Sequence, residues 1–489
     1  MKKLLLLCLT LAGCFACSDF LNIRPEGTST SEGMDYSKAE NIFKPVSAAY
    51  ASLRVSTAHK FAYICVCEIT SDDADKGSSP EDNPDARSLD EFTFDASCSL
   101  INELWTGFYD IVSAANNVLY QMVLFDAKAR NAAVREQIRT CEAEGRFLRA
   151  YSYFNLVRMF GSVPIVDKTL TAEELASLRQ STSEEVYAFI VKDLEYAVSH
   201  LPETYPAAYK GRVTKDAAMT LLAKVHLYRK QYDRVAALCG AVIAGGRHGL
   251  LSDFREVFSI DGENSKESLF EIQSSDLGLS SGESAYSEFA YYQGPRGNSP
   301  SNMQGWGFCV PSAKLIAFLN GRGDTERAKA TFLYRGTKTP EGDSIKVACT
   351  NPVYNGKVYT PSAYNDWSYN GYGFDYNIRI LRYPDVLLMY AEALARGAAP
   401  AGTCDAQQAL DLVRSRAGLP SVPPTLENIL EERHAEFALE EDRFFDLVRT
   451  GMASKELASK GFVEGKHNLF PIPAAQRQLN ANLRQNPNY

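Results

Sequence analysis

The chain has 489 residues and a formal net charge of −9, from 51 Lys and Arg against 60 Asp and Glu. That acidic balance excludes a nucleic-acid partner, whose phosphates call for a basic face. Hydrophobic residues at 45% and charged residues at 23% are the mixture of a globular protein with a large core. No apolar run in the body reaches the roughly 20 residues of a membrane span.

The first residues read as an address. Met1-Lys2-Lys3 is a basic start, Leu4 to Leu11 is almost uninterrupted apolar sequence, and Ala12-Gly13-Cys14-Phe15-Ala16-Cys17 follows. Charge, length and order are those of a secretory signal peptide. Leu11-Ala12-Gly13-Cys14 resembles a bacterial lipobox, and Cys17, preceded by Ala16, is a second candidate. Lipidation is therefore expected at Cys17 or Cys14, anchoring the exported protein to a membrane.

Apolar residues at helical spacing predict helices over 142–160, 183–201, 214–230, 232–244, 384–396, 406–417 and 426–449. The third and fourth, joined by almost no loop, make a pair of about 34 residues, the length of one tetratricopeptide repeat. Ala223, Tyr232, Val235, Cys239 and Val242 fit its packing positions. Successive helix pairs that bury apolar faces against their neighbours predict a helical-repeat scaffold. Between Leu250 and Ile380 this pattern lapses into sequence rich in Gly, Ser, Asn, Pro and Tyr, an elaborated loop region carried by the helices. The fold expected is mainly α, one unit of tetratricopeptide-like pairs with a large loop-rich insertion. Its segments are a signal at 1–16, helical regions at 17–250 and 381–489, and a ligand-binding loop region at 251–380.

Catalytic and metal signatures are missing. Glu431-Glu432-Arg433-His434-Ala435-Glu436 lacks the H-E-x-x-H spacing of a zinc protease. Neither a G-x-S-x-G elbow nor a phosphate-binding P-loop occurs, and the six His do not fall at ligand spacing. No catalytic residue, metal or cofactor is expected. Cys65-Val-Cys67 reads as strand with both thiols on one side; Cys309 with Cys349 is a candidate disulfide, although buried free thiols account better for the cysteines.

Several blocks together resemble one family. These are Cys17-Ser18-Asp19-Phe20-Leu21-Asn22 with Arg24-Pro25, Ser71 to Gly77, Trp105 to Tyr109 with Ala115-Asn116-Asn117, and Glu144 to Pro164. Ile380 to Leu388, Glu431-Glu432-Arg433, Glu440 to Arg449, Leu469 to Pro473 and Gln485 to Tyr489 extend the match over nearly the whole chain. The sequence is similar to the SusD/RagB family of surface nutrient-binding lipoproteins. Where the family usually has Gly, position 488 is Asn, which tolerates positive φ. The resemblance implies a non-enzymatic protein at the outer face of the outer membrane. It also implies a TonB-dependent, SusC-like transporter as partner, and capture of an oligosaccharide or, in a RagB-type protein, a peptide. A helical-repeat interaction scaffold and a surface glycosidase are the readings from other classes.

Arg146, Arg149, Arg382, Arg433 and Arg443 lie among aromatics and carboxylates on helix faces and are expected to clamp helices together. Ligand capture is expected in the loop region, where flat Tyr and Trp rings can stack on sugar faces beside hydrogen-bonding groups. The candidates are Trp306, Trp367, Tyr291, Tyr292, Tyr369, Arg296 and Asn365, with Lys76 to Arg87 as a second edge. Trp105 is expected in the core.

Overall fold

The computed structural model describes residues 34–274, 287–298, 304–364 and 376–489. In the first part, helices α1 (Phe43–Val55), α2 (Phe61–Ile64), α3 (Pro84–Asp90), α4 (Ser99–Asp126) and α5 (Ala132–Phe160) are followed by α6 (Ala172–Ser177) and α7 (Ser183–His200). The pair α8 (Lys215–Tyr228) and α9 (Tyr232–Gly245) comes next. Short helices α10 (Phe289–Gln293), α11 (Ala313–Gly321) and α12 (Thr325–Thr331) lie in the middle. The chain then forms α13 (Tyr383–Ala395), α14 (Ala406–Arg416), α15 (Leu426–Phe437), α16 (Arg443–Thr450), α17 (Ala453–Glu456) and α18 (Ala474–Leu479).

Local chemistry sets these limits. Thr182 with Glu185 and Asp405 with Gln408 form capping boxes before α7 and α14. Helix α5 opens on Asn131, whose side chain accepts from the Val134 amide, and stops at Gly161 with φ 69°. Near the C-terminus Asn488 takes φ 67°, a left-handed conformation that Asn tolerates better than most residues. No described helix is long and apolar enough to cross a membrane.

Each long helix buries its apolar stripe on the next: α4 on α5, α5 on α7, α7 on α8, α8 on α9, α9 on α13, and α13 on α14 and α15. Three two-stranded antiparallel sheets fasten distant parts of the chain. Strand β1 (Ala74–Gly77) pairs with β3 (Phe308–Pro311), β2 (Ser268–Ile272) with β6 (Ile378–Arg382), and β4 (Phe332–Tyr334) with β5 (Val353–Asn355). Phe270 of β2 meets Phe147 and Tyr151 of α5 at ring distances of 5.1 and 5.9 Å.

The five arginines are structural clamps. Arg146 and Arg149 of α5 share Asp193 of α7 at 2.9 and 2.8 Å. Arg382 reaches Glu267 at 2.7 Å and Glu440 at 2.8 Å, and Arg443 grips Asp72 at 2.7 and 3.0 Å. Arg433 joins Asp385, Asp442 at 3.2 Å and Asp446 at 2.6 Å. Lys224 and Arg158 converge on the same Asp442 from α8 and α5.

Two sequence expectations are corrected, and the cysteines follow the preferred reading of free thiols. The helix expected over 426–449 is two helices, because Leu439 and Glu441 take φ 62° and 60°. The acids between them are drawn to separate partners: Glu440 to Arg382 and Lys357, and Asp442 to Lys224, Arg158 and Arg433. Cys65–Ile69 is a π-helical turn continuing α2, and not a strand. It packs against α3, α4, β1, β3 and α16, so all five of its side chains are buried and no alternating face exists. Cys309 and Cys349 are unbonded; all eight cysteines from Cys65 to Cys404 are free thiols, seven of them buried.

Removing Arg433 takes one cation from three buried carboxylates, Asp385, Asp442 and Asp446, which are left to Lys224, Arg158 and Arg449. Arg433→Ala is expected to cost up to about 3–5 kcal/mol, read by chemical denaturation, whereas Arg139→Ala, at an exposed pair on the same scaffold, should leave the denaturation curve nearly unchanged.

The acids Glu68 and Glu441 face each other beneath the α15–α16 break, the Glu441 amide donating to Glu68 at 2.7 Å. Burial, reinforced by the Asp73 charge, pushes Glu68 up to about 8, and burial pushes Glu441 up as well. A carboxyl raised on folding contributes stability that is intact below the ordinary carboxyl range and is lost as pH climbs toward 8. Glu68→Gln is expected to flatten the fall in unfolding free energy between pH 5 and pH 8; an unchanged slope would show that Glu68 is ionised in the fold.

Candidate ligand-binding site

The antiparallel pair β1–β3 brings the segment after β1 against the segment before β3. The contact is close: the Ser78 amide donates to the Gly307 carbonyl at 2.6 Å, and a Cβ on Gly77 would lie 2.4 Å from that oxygen. Both glycines have positive φ, 67° and 72°, so no L side chain fits either position without strain. The loop beyond β1 is tied from within. The Lys76 ammonium donates to the carbonyls of Ser79 and Asp82, each at 2.9 Å, and lies 5.3 Å above the Phe308 ring.

Asp82 is the junction of loop and insertion. Its carboxylate accepts from the Ser78 hydroxyl at 2.7 Å and the Ser79 amide at 3.0 Å, and pairs with Arg296. Arg296 also donates to the Ser78 hydroxyl at 2.7 Å. The Ser78 hydroxyl first, then the Ser79 amide and the Arg296 charge, hold Asp82 below the usual carboxylate range against slight burial.

Trp306 is set by its own backbone. Its amide donates to the Tyr291 carbonyl at 3.0 Å, while the Gly305 amide donates to Pro295 at 3.1 Å. A Cβ on Gly305 would stand 2.4 Å from the Tyr291 oxygen. The indole rests against Tyr292 at 5.1 Å, Tyr291 at 5.9 Å and Phe61 at 6.1 Å. It remains 40% exposed, while Tyr291 and Tyr292 are 3% and 8% exposed. The result is one open aromatic face on a buried aromatic footing. It borders a cavity of about 500 Å³ walled by Phe61, Asp82, Tyr291, Arg296, Gln304 and Phe308 among others.

Three of the residues expected at the site, Trp306, Tyr291 and Arg296, thus come together, and Asp82 and Asn83 of the expected second edge join them. Tyr292 braces Trp306 from beneath and donates to Glu288 at 2.6 Å; it is outside the cavity wall. Trp367, Tyr369 and Asn365 lie outside the described residues. Asn298, a possible hydrogen-bonding partner, is buried and spent on Ser344 and Lys346. Phe61 and Phe308 were missed because each reads as ordinary core sequence; their only signal is proximity to Lys76–Arg87 and Trp306. Trp105, 4% exposed, packs on Phe160 as core.

The structure also gathers Asp72, Asp73 and His434, with the His434 ring nitrogen 2.5 Å from Asp73. These residues are 361 positions apart, so sequence spacing could not reveal the cluster. Asp72 already carries Arg443 and, at 2.8 Å, Lys314. With two cations on one carboxylate, the arrangement is an ion-pair joint and a poor seat for a metal.

Gly305→Ala is expected to lower stability by about 1–3 kcal/mol and to displace Trp306, since a methyl cannot coexist with the Tyr291 carbonyl. Chemical denaturation and quenching of the exposed indole by acrylamide would register both effects; an unchanged quenching constant would show that Trp306 is positioned by something else.

A family model described as SusD family matches residues 266–489, and another described as starch-binding associating with outer membrane matches residues 64–227. A SusD-like protein P2 of Formosa agariphila is 26% identical, the alignment covering 99% of this chain and 98% of that protein. The solved structure of a laminarin binding SusD-like protein superposes with a TM-score of 0.78 at 28% identity, over 92% of this chain and 99% of the other. Surface glycan-binding protein A from Bacteroides thetaiotaomicron, in complex with laminarihexaose, gives 0.76 at 26% identity over 91% and 99%.

Proposed function

The chain belongs to the SusD/RagB family, and from that premise we propose that it captures oligosaccharides at the outer face of the outer membrane and passes them to a TonB-dependent, SusC-like transporter. The carrying observation is Trp306. A flat indole exposed at a cavity mouth, beside a paired Arg296 and Asp82, offers a sugar ring both a stacking face and hydroxyl partners. The relatives named for laminarin binding and for a laminarihexaose complex support a glycan as cargo.

Capture without cleavage fits the cavity. Glycoside hydrolysis generally needs two facing carboxyl groups, and among the described wall residues Asp82 is the one acid, already paired with Arg296. Trp367, Tyr369 and Asn365, from the same aromatic-rich loop sequence, complete the proposed contact set. Acylation at Cys17 or Cys14 would keep the body at the membrane, in accord with the absence of a spanning helix among the described residues.

The test is calorimetry of the soluble protein against laminarihexaose, other oligosaccharides and peptides. Saturable glycan binding without shorter products is expected, with Trp306→Ala weakening it at least about tenfold, or 1.4 kcal/mol. Full affinity in a normally folded Trp306→Ala protein would move the site elsewhere; binding of peptides alone would replace the cargo.

A further inference from the structure

Away from Trp306, one face of helix α4 runs from a groove at its Trp105 end to exposed apolar residues at its other end. Trp105, Tyr109, Ser113, Asn116, Tyr120 and Val123 recur every three or four residues and so share one face. At the Trp105 end this face forms the floor of a groove of about 500 Å³, closed on its sides by 164–178 and 476–483. Leu175 and Leu479 stand on its rim at 43% and 70% exposure. At the other end of the stripe Tyr120 and Val123 are 55% and 68% exposed. Exposed apolar residues gathered on the rim of a groove mark a contact site.

The described chain begins against a different face of the same helix. Tyr36 donates to Gln121 at 2.6 Å and packs on Phe125 at 5.0 Å, both on α4. From Gln121 back to the groove floor between Ser113 and Trp105 is roughly 12–24 Å along the axis, at 1.5 Å per residue. Residues 26–33 are Glu, Gly, Thr and Ser throughout, and all the large apolar residues of 17–33 fall in Phe20-Leu21-Asn22-Ile23-Arg24-Pro25. Eight residues lie between Pro25 and Met34, nine steps with an extended reach of about 30 Å, so the apolar block can pass round α4 to the groove.

Charge agrees with this occupant. Asp110 and Lys168 lie in the groove and form no ion pair among the described residues; burial alone pushes Asp110 up. Within the apolar block Arg24 offers a cation for Asp110, and Asp19 or Glu26 an anion for Lys168.

We propose that this groove is the seat of residues 19–26 of the same chain, with Phe20, Leu21 and Ile23 covering the apolar floor and Arg24 answering Asp110. Resting on the acylation reading, docking would leave one residue, Ser18, between a lipidated Cys17 and the docked segment. The groove face would then be turned toward the membrane.

The test uses the mature chain, residues 18–489, without an acyl group, so that docking and lipidation fail separately. Phe20→Cys combined with Leu479→Cys is expected to form an intrachain disulfide under mild oxidation, identified by peptide mass spectrometry in a monomeric fraction. A crosslink between chains would replace this occupant by a second copy, and no crosslink would count against docking. As a second readout, Phe20→Ser with Leu21→Ser and Ile23→Ser should speed amide hydrogen exchange in 172–178 and 474–479 at least tenfold, with the rest of the fold unchanged. Unaltered exchange there, together with no crosslink, overturns the proposal.

Discussion

Asp442 is where the two halves of the chain are joined. It takes Arg158 from α5, Lys224 from α8 and Arg433 from α15, and Arg433 in turn holds Asp385 of α13 and Asp446 of α16. Buried charges gain little net stability over well-packed apolar residues, since desolvation consumes much of the Coulomb attraction. What they impose is geometry: a carboxylate with three cations around it is satisfied in one arrangement and strongly penalised in others. Helix repeats alone slide over one another at modest cost. The ionic joint fixes their register.

The proposed ligand site hangs from that joint through a short series of contacts. Arg443, next to Asp442, grips Asp72, and the Ser312 hydroxyl and amide bond the carbonyls of Asp72 and Asp73 at 2.7 and 2.8 Å. That fixes where β1 and β3 meet. Beyond β1 the Lys76 loop presents Asp82; ahead of β3 lie Trp306 and Gly307. Arg296 then closes the ring on Asp82. A recognition surface built largely from loops is thereby held to a rigid scaffold.

Much of this was legible in sequence for identifiable reasons. Helices α5, α7, α8, α9, α13 and α14 carry long apolar periodicity with capping residues at their ends, and those signals are local. Arginines among carboxylates announced clamps, although which acid each would meet depended on tertiary contact. The split of 426–449 was hidden because periodicity persists across Ala438–Asp442 while the turn is dictated by Arg382, Lys224 and Arg158, all distant in sequence. Trp306 and Arg296 stood out by type in a loop-rich stretch. Phe61, which supports Trp306 from some 245 positions earlier, could be found only in three dimensions, as could the Asp73–His434 contact.

The cysteines carry a different consequence. Seven thiols are sealed in the core and none of the eight is bridged. Burial pushes Cys98 up to about 11 and Cys141 up to about 12, with Cys65, Cys67, Cys239 and Cys309 further still. Thiol–disulfide exchange needs a thiolate with access to its partner, and these groups have neither. Among the described residues the fold therefore holds together with no disulfide for a reductant to break, and Cys404 is the one partly exposed thiol.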